Sequence, residues 1–153
     1  MWQLTSLPDL TDNQKISDKV DARYYKAHHF DYVTFSGIFS VRNNNALIKH
    51  SGLMVIDFDN LSSVDEVKQL LLDDTELETQ LLFVSPSGNG LKWVVEIDLS
   101  LATHLQYFNG IKSYLNDTYN LKVDNSGKDI ARACFLPHDP HVYINPKYLN
   151  HEL

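Results

Sequence analysis

Apolar and polar positions recur with two different periods along this chain, and the changes of period mark out its elements. "VTFSGIFSV" and "ALIKHSGLMVIDFD" are rich in β-branched and aromatic residues and flank "RNNN", a cluster of turn formers. They predict an antiparallel hairpin or meander that delivers Asp57 and Asp59 to a strand end. "QLLFVSPSGNGLKWVVEIDL" predicts two further apolar strands around a Pro, Gly and Ser turn. Helical spacing appears in three places. In "DNQKISDKVDARYYKAHHF" it is weak, carried by Ile16, Val20, Tyr24 and Ala27. In "SSVDEVKQLLLDD", Ser63 and Glu66 have capping-box spacing and Val64, Val67, Leu70 and Leu71 form a core-facing stripe. In "SLATHLQYFNGIKSYLNDTY", Ser100 is the expected N-cap, with a stripe of Leu101, Leu105, Phe108, Ile111, Leu115 and Tyr119. "LKVDNSGKDIARACFLPHDPHVYIN" closes the chain as short strands and loops, Asp124 ending one of the strands. The order α-β-β-β-α-β-β-α-β-β predicts an α+β fold, a mostly antiparallel sheet with flanking helices.

Composition narrows the setting. A length of 153 residues fits a single domain spanning 1–153, with residues 1–12, polar around Pro8, as a loosely attached lead-in. No run approaches the roughly 18 apolar residues of a membrane span, and no signal-peptide pattern opens the chain. The one cysteine, Cys134, excludes an internal disulfide and fits a reducing compartment, so a cytoplasmic location is expected. The net charge of −7 argues against a broad basic face for nucleic acid. It leaves room for a nucleic-acid enzyme, because divalent cations at a carboxylate site reverse the local sign.

Three stretches carry candidate chemistry. In "GLMVIDFDNL", Asp57 and Asp59 follow four apolar residues and share a face of the strand. Adjacent acids repel, and hard oxygen ligands of this kind suit Mg²⁺ or Mn²⁺. The alternative is a pair of solvated turn acids. In "VSPSGNGLKW", Ser85, Ser87, Gly88 and Gly90 offer hydroxyls and open backbone N–H groups, with Lys92 as a point charge for phosphate. It lacks P-loop spacing, and a hairpin turn is the plainer reading. In "VDNSGKDIARACFLPHDP", Asp124 would supply a third acid for a two-metal cluster, and Arg132 suits bidentate contact with a triphosphate. His138 and His141 have ligand-like spacing but no supporting Cys or His, which argues against zinc.

Taken in order, these pieces resemble the motifs of the archaeo-eukaryotic primase (primase-polymerase) superfamily, most closely its VirE N-terminal-like branch. That superfamily carries hhDhD/E, then SGxGxH, then hD with a downstream arginine. Here "HSGLMVIDFDNL", "FVSPSGNGLKWVV" and "VDNSGKDIARACFLPHDP" follow that series over about residues 34 to 146. The resemblance implies an RRM-like core and a metal-dependent nucleotidyltransferase of primase or polymerase type, acting in replication of a phage or mobile element. It implies Asp57, Asp59 and Asp124 as catalytic metal ligands for two Mg²⁺ or Mn²⁺ ions. Ser85, Ser87, Lys92 and Arg132 fall on the nucleotide- and phosphate-binding positions. The implied partners are nucleoside triphosphates, a DNA or RNA template-primer, and a helicase or other replication module. The chain departs from the superfamily at Lys92, where polymerising members usually carry histidine, although lysine is common in this branch.

Two other readings compete. A catalytically inactive nucleotide- or nucleic-acid-binding module would keep the same fold, with Tyr32, Phe35 and Phe39 either stacking bases or packing in the sheet core. A haloacid-dehalogenase-like reading of "VIDFDN" needs a later acid pair on a strand end, whereas Asp73 and Asp74 fall at a predicted helix end.

Overall fold

The computed structural model describes residues 19–149. Their elements are α1 (Lys19–His29), β1 (Tyr32–Val33), β2 (Gly37–Phe39), β3 (Leu47–His50), β4 (Leu53–Phe58), α2 (Val64–Leu72), β5 (Thr79–Val84), β6 (Leu91–Glu96), α3 (His104–Tyr119), β7 (Cys134–Phe135) and β8 (Tyr143–Ile144). This is an α+β fold in which every strand pairing among the described residues is antiparallel. The lead-in 1–12, and Ile16 of the first predicted helix, lie outside the described residues.

The centre is a four-stranded sheet of order β4-β6-β5-β8. Strand alternation sorts its side chains onto two faces. Met54, Ile56 and Phe58 of β4 and Leu91, Trp93 and Val95 of β6 pack with Leu71 of α2 and Phe108, Ile111 and Leu115 of α3. On the opposite face Val55, Phe83 and Val94 meet Cys134 of β7 in a smaller cluster. Cover on both faces explains why "LMVI" and "WVV" are unbroken apolar runs. The buried indole of Trp93 donates to Thr79 Oγ1 at 2.8 Å, so its polar edge is satisfied inside the core.

Three local expectations need correcting. Of the predicted hairpin or meander the hairpin forms, β2 and β3 pairing antiparallel as their own two-stranded ribbon, but it does not extend to β4, which joins the central sheet through β6. Gly52, at φ 80°, turns the chain between β3 and β4. The N-cap of α3 is Thr103, not Ser100. Thr103 closes a full capping box with Gln106, while the Ser100 hydroxyl donates to Asp98 at 2.7 Å. The start therefore moves by one turn, leaving Leu101 77% and Leu105 51% exposed. The third correction is that no strand precedes Asp124, which instead caps a 3-10 turn over Asn125–Lys128.

The revised stripe of α3 gives a paired expectation. Phe108→Ala should lower the unfolding free energy by about 3–5 kcal/mol, as a fully buried aromatic does. Leu105→Ala should stay within about 0.5 kcal/mol of wild type. Urea melts of the two variants check this, and a comparable loss for Leu105→Ala would contradict the helix orientation.

Candidate functional site

Register builds the site. In the β4–β6 pair Asp57 stands directly opposite Lys92, on the sheet face turned away from α2 and α3. Lys92 Nζ lies 2.7 Å from Asp57 Oδ1, and the Arg132 guanidinium donates to Asp57 Oδ2. Asp57 is 1% exposed. A carboxylate buried so deeply needs compensating charge, since its desolvation costs several kcal/mol. Two cations from separate segments supply it. Asp57 Oδ1 makes its ion pair with Lys92 outside hydrogen-bonding geometry and accepts no hydrogen bond.

Asp124 reaches the same place without a strand. Its backbone N–H donates to the Asp57 carbonyl at 2.9 Å, which lays residue 124 beside the end of β4. Its carboxylate accepts from the Ser126 N–H at 2.8 Å and from the Ser126 hydroxyl. Burial pushes the Asp124 carboxyl up, but these bonds, with Arg132 and Lys92 nearby, hold it below the usual carboxylate range. Asp59 lies just past β4 and is exposed. In the β5–β6 turn, Ser85 and Ser87 share a hydroxyl contact at 3.0 Å. Gly90 permits that turn to touch β4: a Cβ there would stand 2.2 Å from the Phe58 carbonyl oxygen.

These residues surround one cleft of about 620 Å³. Asp59, Ser85, Ser87, Lys92, Asp124 and Arg132 line it, and buried Asp57 holds two of its cations. Sequence reasoning missed Lys26, Ser126 and Phe135 on the same walls. Ser126 was the most findable, standing two residues after an acid in a turn sequence. Asp139, between His138 and His141, is structural: it accepts from the backbone N–H groups of Val84 and His141 at 2.9 and 2.8 Å. Phe35 packs against the smaller core cluster, whereas Tyr32 is 52% exposed. The Cys134 thiol, beside the site, is pushed up to about 12 chiefly by burial and is a poor nucleophile.

Charge and donor chemistry decide what fits. Lys26, Lys92 and Arg132 face Asp57, Asp59 and Asp124, three cations against three acids, so the cleft has no net charge of its own. Among the described residues no three His, Cys, Asp or Glu side chains are already gathered as a metal-binding group. The donors are nevertheless hard oxygens of the kind Mg²⁺ and Mn²⁺ take, and the buried Asp57 Oδ1 retains accepting capacity.

A histidine relay braces the loop that carries Asp124. The Gly52 N–H donates to His50 Nδ1 at 3.0 Å, so His50 carries its proton on Nε2. That proton points at His104 Nδ1, 3.1 Å away, and His104 Nε2 donates to the Gly127 carbonyl at 3.1 Å. The chain works only with both rings neutral. Burial lowers the affinity of both rings for a second proton, reinforced at His50 by His104 and opposed at His104 by Gly127 and Asp129.

Residues 25–144 match the family model described as BT4734-like, N-terminal domain. No curated protein and no solved structure matches the chain.

The relay has a pH signature. Both folded-state values lie below the ordinary 6.5, so the unfolded chain takes up protons first as pH falls. Stability should be full above about pH 6.5 and decline below it, in a window above that of the carboxylates. Thermal midpoints from pH 7.5 to 5.0 should show this fall, and His104→Gln should flatten it. An equal slope in the variant would remove the relay as its cause.

Proposed function

We propose a function for a chain that belongs to the family of BT4734-like N-terminal domains: its cleft is the nucleotide site of a metal-dependent nucleotidyltransferase-like domain of primase-polymerase type. The observation that carries this reading is convergence. Six of the seven residues to which the resemblance assigns metal or phosphate roles, drawn from three separate stretches, line one cleft, and the seventh, Asp57, anchors two of them.

The chemistry follows from the donors. Lys92 and Arg132 offer the two positive charges that a triphosphate needs, Arg132 with a planar fork suited to phosphate oxygens. Ser85 and Ser87 add hydroxyls on the adjoining turn. A cleft without net charge does not draw in a polyanion by field alone, so the nucleotide would arrive with its own divalent cation. Asp57, Asp59 and Asp124 would hold Mg²⁺ or Mn²⁺ there. When bound, such ions activate an attacking 3′-hydroxyl and steady the departing pyrophosphate. The template-primer and a helicase or other replication module, in a phage or mobile element, are the partners this reading carries with it.

One observation favours a second reading. Asp57 is committed to Lys92 and Arg132, an arrangement that a binding module without catalysis could keep unchanged. The two readings share the nucleotide and differ in turnover.

Titrating a fluorescent nucleoside triphosphate with and without Mn²⁺ tests the shared part. Binding should require Mn²⁺ and weaken roughly tenfold or more in Asp59→Asn/Asp124→Asn, since each loses a charged ligand. Metal-independent binding, or a variant that binds as wild type does, would reject the site. Primer extension by wild type then separates the readings: elongated product selects the enzyme, and its absence with intact nucleotide binding selects the binding module.

A further inference from the structure

The chain is acidic overall, yet residues 32–56 contain Arg42 and Lys49 and no Asp or Glu. This acid-free stretch supplies β1 to β3 and most of β4, and its Tyr32 packs against a residue of the cleft wall. In the β1–β7 ribbon Tyr32 stands opposite Phe135, with ring centres 6.2 Å apart in an edge-on arrangement. Phe135 lines the cleft wall. Outside it, Tyr32 keeps 52% exposure, and the Arg42 guanidinium lies over its ring at 5.9 Å. The turn after Arg42 is fixed to the same wall: Asn44 accepts from the Ala131 N–H at 2.8 Å, one residue before Arg132. Arg42 and Tyr32 are thus joined, through Phe135 and the Asn44 turn, to the wall that carries Arg132.

We infer that Tyr32 and Arg42 form a stacking platform for single-stranded nucleic acid at the mouth of the cleft. A half-exposed aromatic ring with a guanidinium over it offers two planar groups on which a nucleobase of any sequence can stack, and the cation meets the adjoining phosphate. Two basic residues on an acidic chain are too few to grip a duplex by its backbone, so stacking carries the affinity and the strand must be unpaired. The inference rests on the nucleotide reading of the cleft for where the strand leads. Tyr32 itself is not among the residues assigned to phosphate or metal.

The test uses a labelled oligo-dT of about 20 nucleotides and fluorescence anisotropy, at two salt concentrations, with the full chain. Wild type should bind it more tightly than a duplex of the same length. Tyr32→Ala should weaken binding roughly tenfold, and Tyr32→Phe, which keeps the ring, should restore it. Arg42→Ala should weaken binding and flatten its salt dependence. Binding of nucleoside triphosphate with Mn²⁺ should be unchanged in all three variants. Tyr32→Ala binding as wild type does, a duplex bound equally well, or no binding to the oligonucleotide would each overturn the platform. Oligonucleotide binding that needs Tyr32, in a protein that ignores nucleotide and Mn²⁺, would retain the platform and reject the cleft reading.

Discussion

The site face of this domain is organised by one buried carboxylate. Asp57 has almost no contact with solvent, and its charge is tolerated because Lys92 and Arg132 close on it from two directions. Lys92 comes by strand register and Arg132 by a loop, so one acid ties β4, β6 and the segment after Asp124 together. Removing Asp57 would leave two cations facing each other across a low-dielectric wall made by Val55, Phe83, Val94 and Cys134, and removing either cation would leave the carboxylate to the other alone. The Asp124 N–H on the Asp57 carbonyl adds a backbone tether at the same residue.

The two faces of the central sheet divide the labour. The helix side is a packed apolar core around Trp93, Phe58 and Phe108, and its polar atoms are few and paired. It fixes β4 and β6 relative to one another, and thereby the height at which Asp57 and Lys92 meet. The opposite side has only a thin apolar cluster, beside which polar residues gather. Gly127 links the sides, because a Cβ there would lie 2.8 Å from the Val55 carbonyl oxygen and 2.9 Å from the Phe108 ring. The loop bearing Asp124 can lie this close to Val55 and Phe108 at residue 127 only because that residue has no side chain.

Much of this was legible in the sequence, in proportion to how local the cause is. The strands around Asp57 and Lys92 were readable because cover on both faces demands continuous apolar runs. Helix α2 was readable from Ser63, whose hydroxyl does accept from the Glu66 N–H. The start of α3 was misread: Ser100 is the stronger cap residue in isolation, but its hydroxyl is taken by Asp98, and Thr103 with Gln106 has the capping-box spacing that sets the start. Asp124 lies beside the end of β4 without the strand expected to carry it. A backbone bond to β4 and a tight turn do what a strand was expected to do. The Asp57–Lys92–Arg132 cluster itself was invisible, since register and loop closure join residues 75 positions apart in the chain.

The same cluster constrains how the cleft can respond to charge. Three acids and three cations cancel, so the resting arrangement is internally satisfied, and any anion entering it competes with Asp57 for Lys92 and Arg132. Whatever draws those cations away leaves a buried carboxylate that must find another positive partner. Binding of an anion and binding of a cation in this cleft are thus coupled in free energy, each favouring the other by the same factor. A ligand carrying both charges at once meets that requirement in a single step, whereas a bare anion or a bare cation must first break the ion pairs that hold the site together.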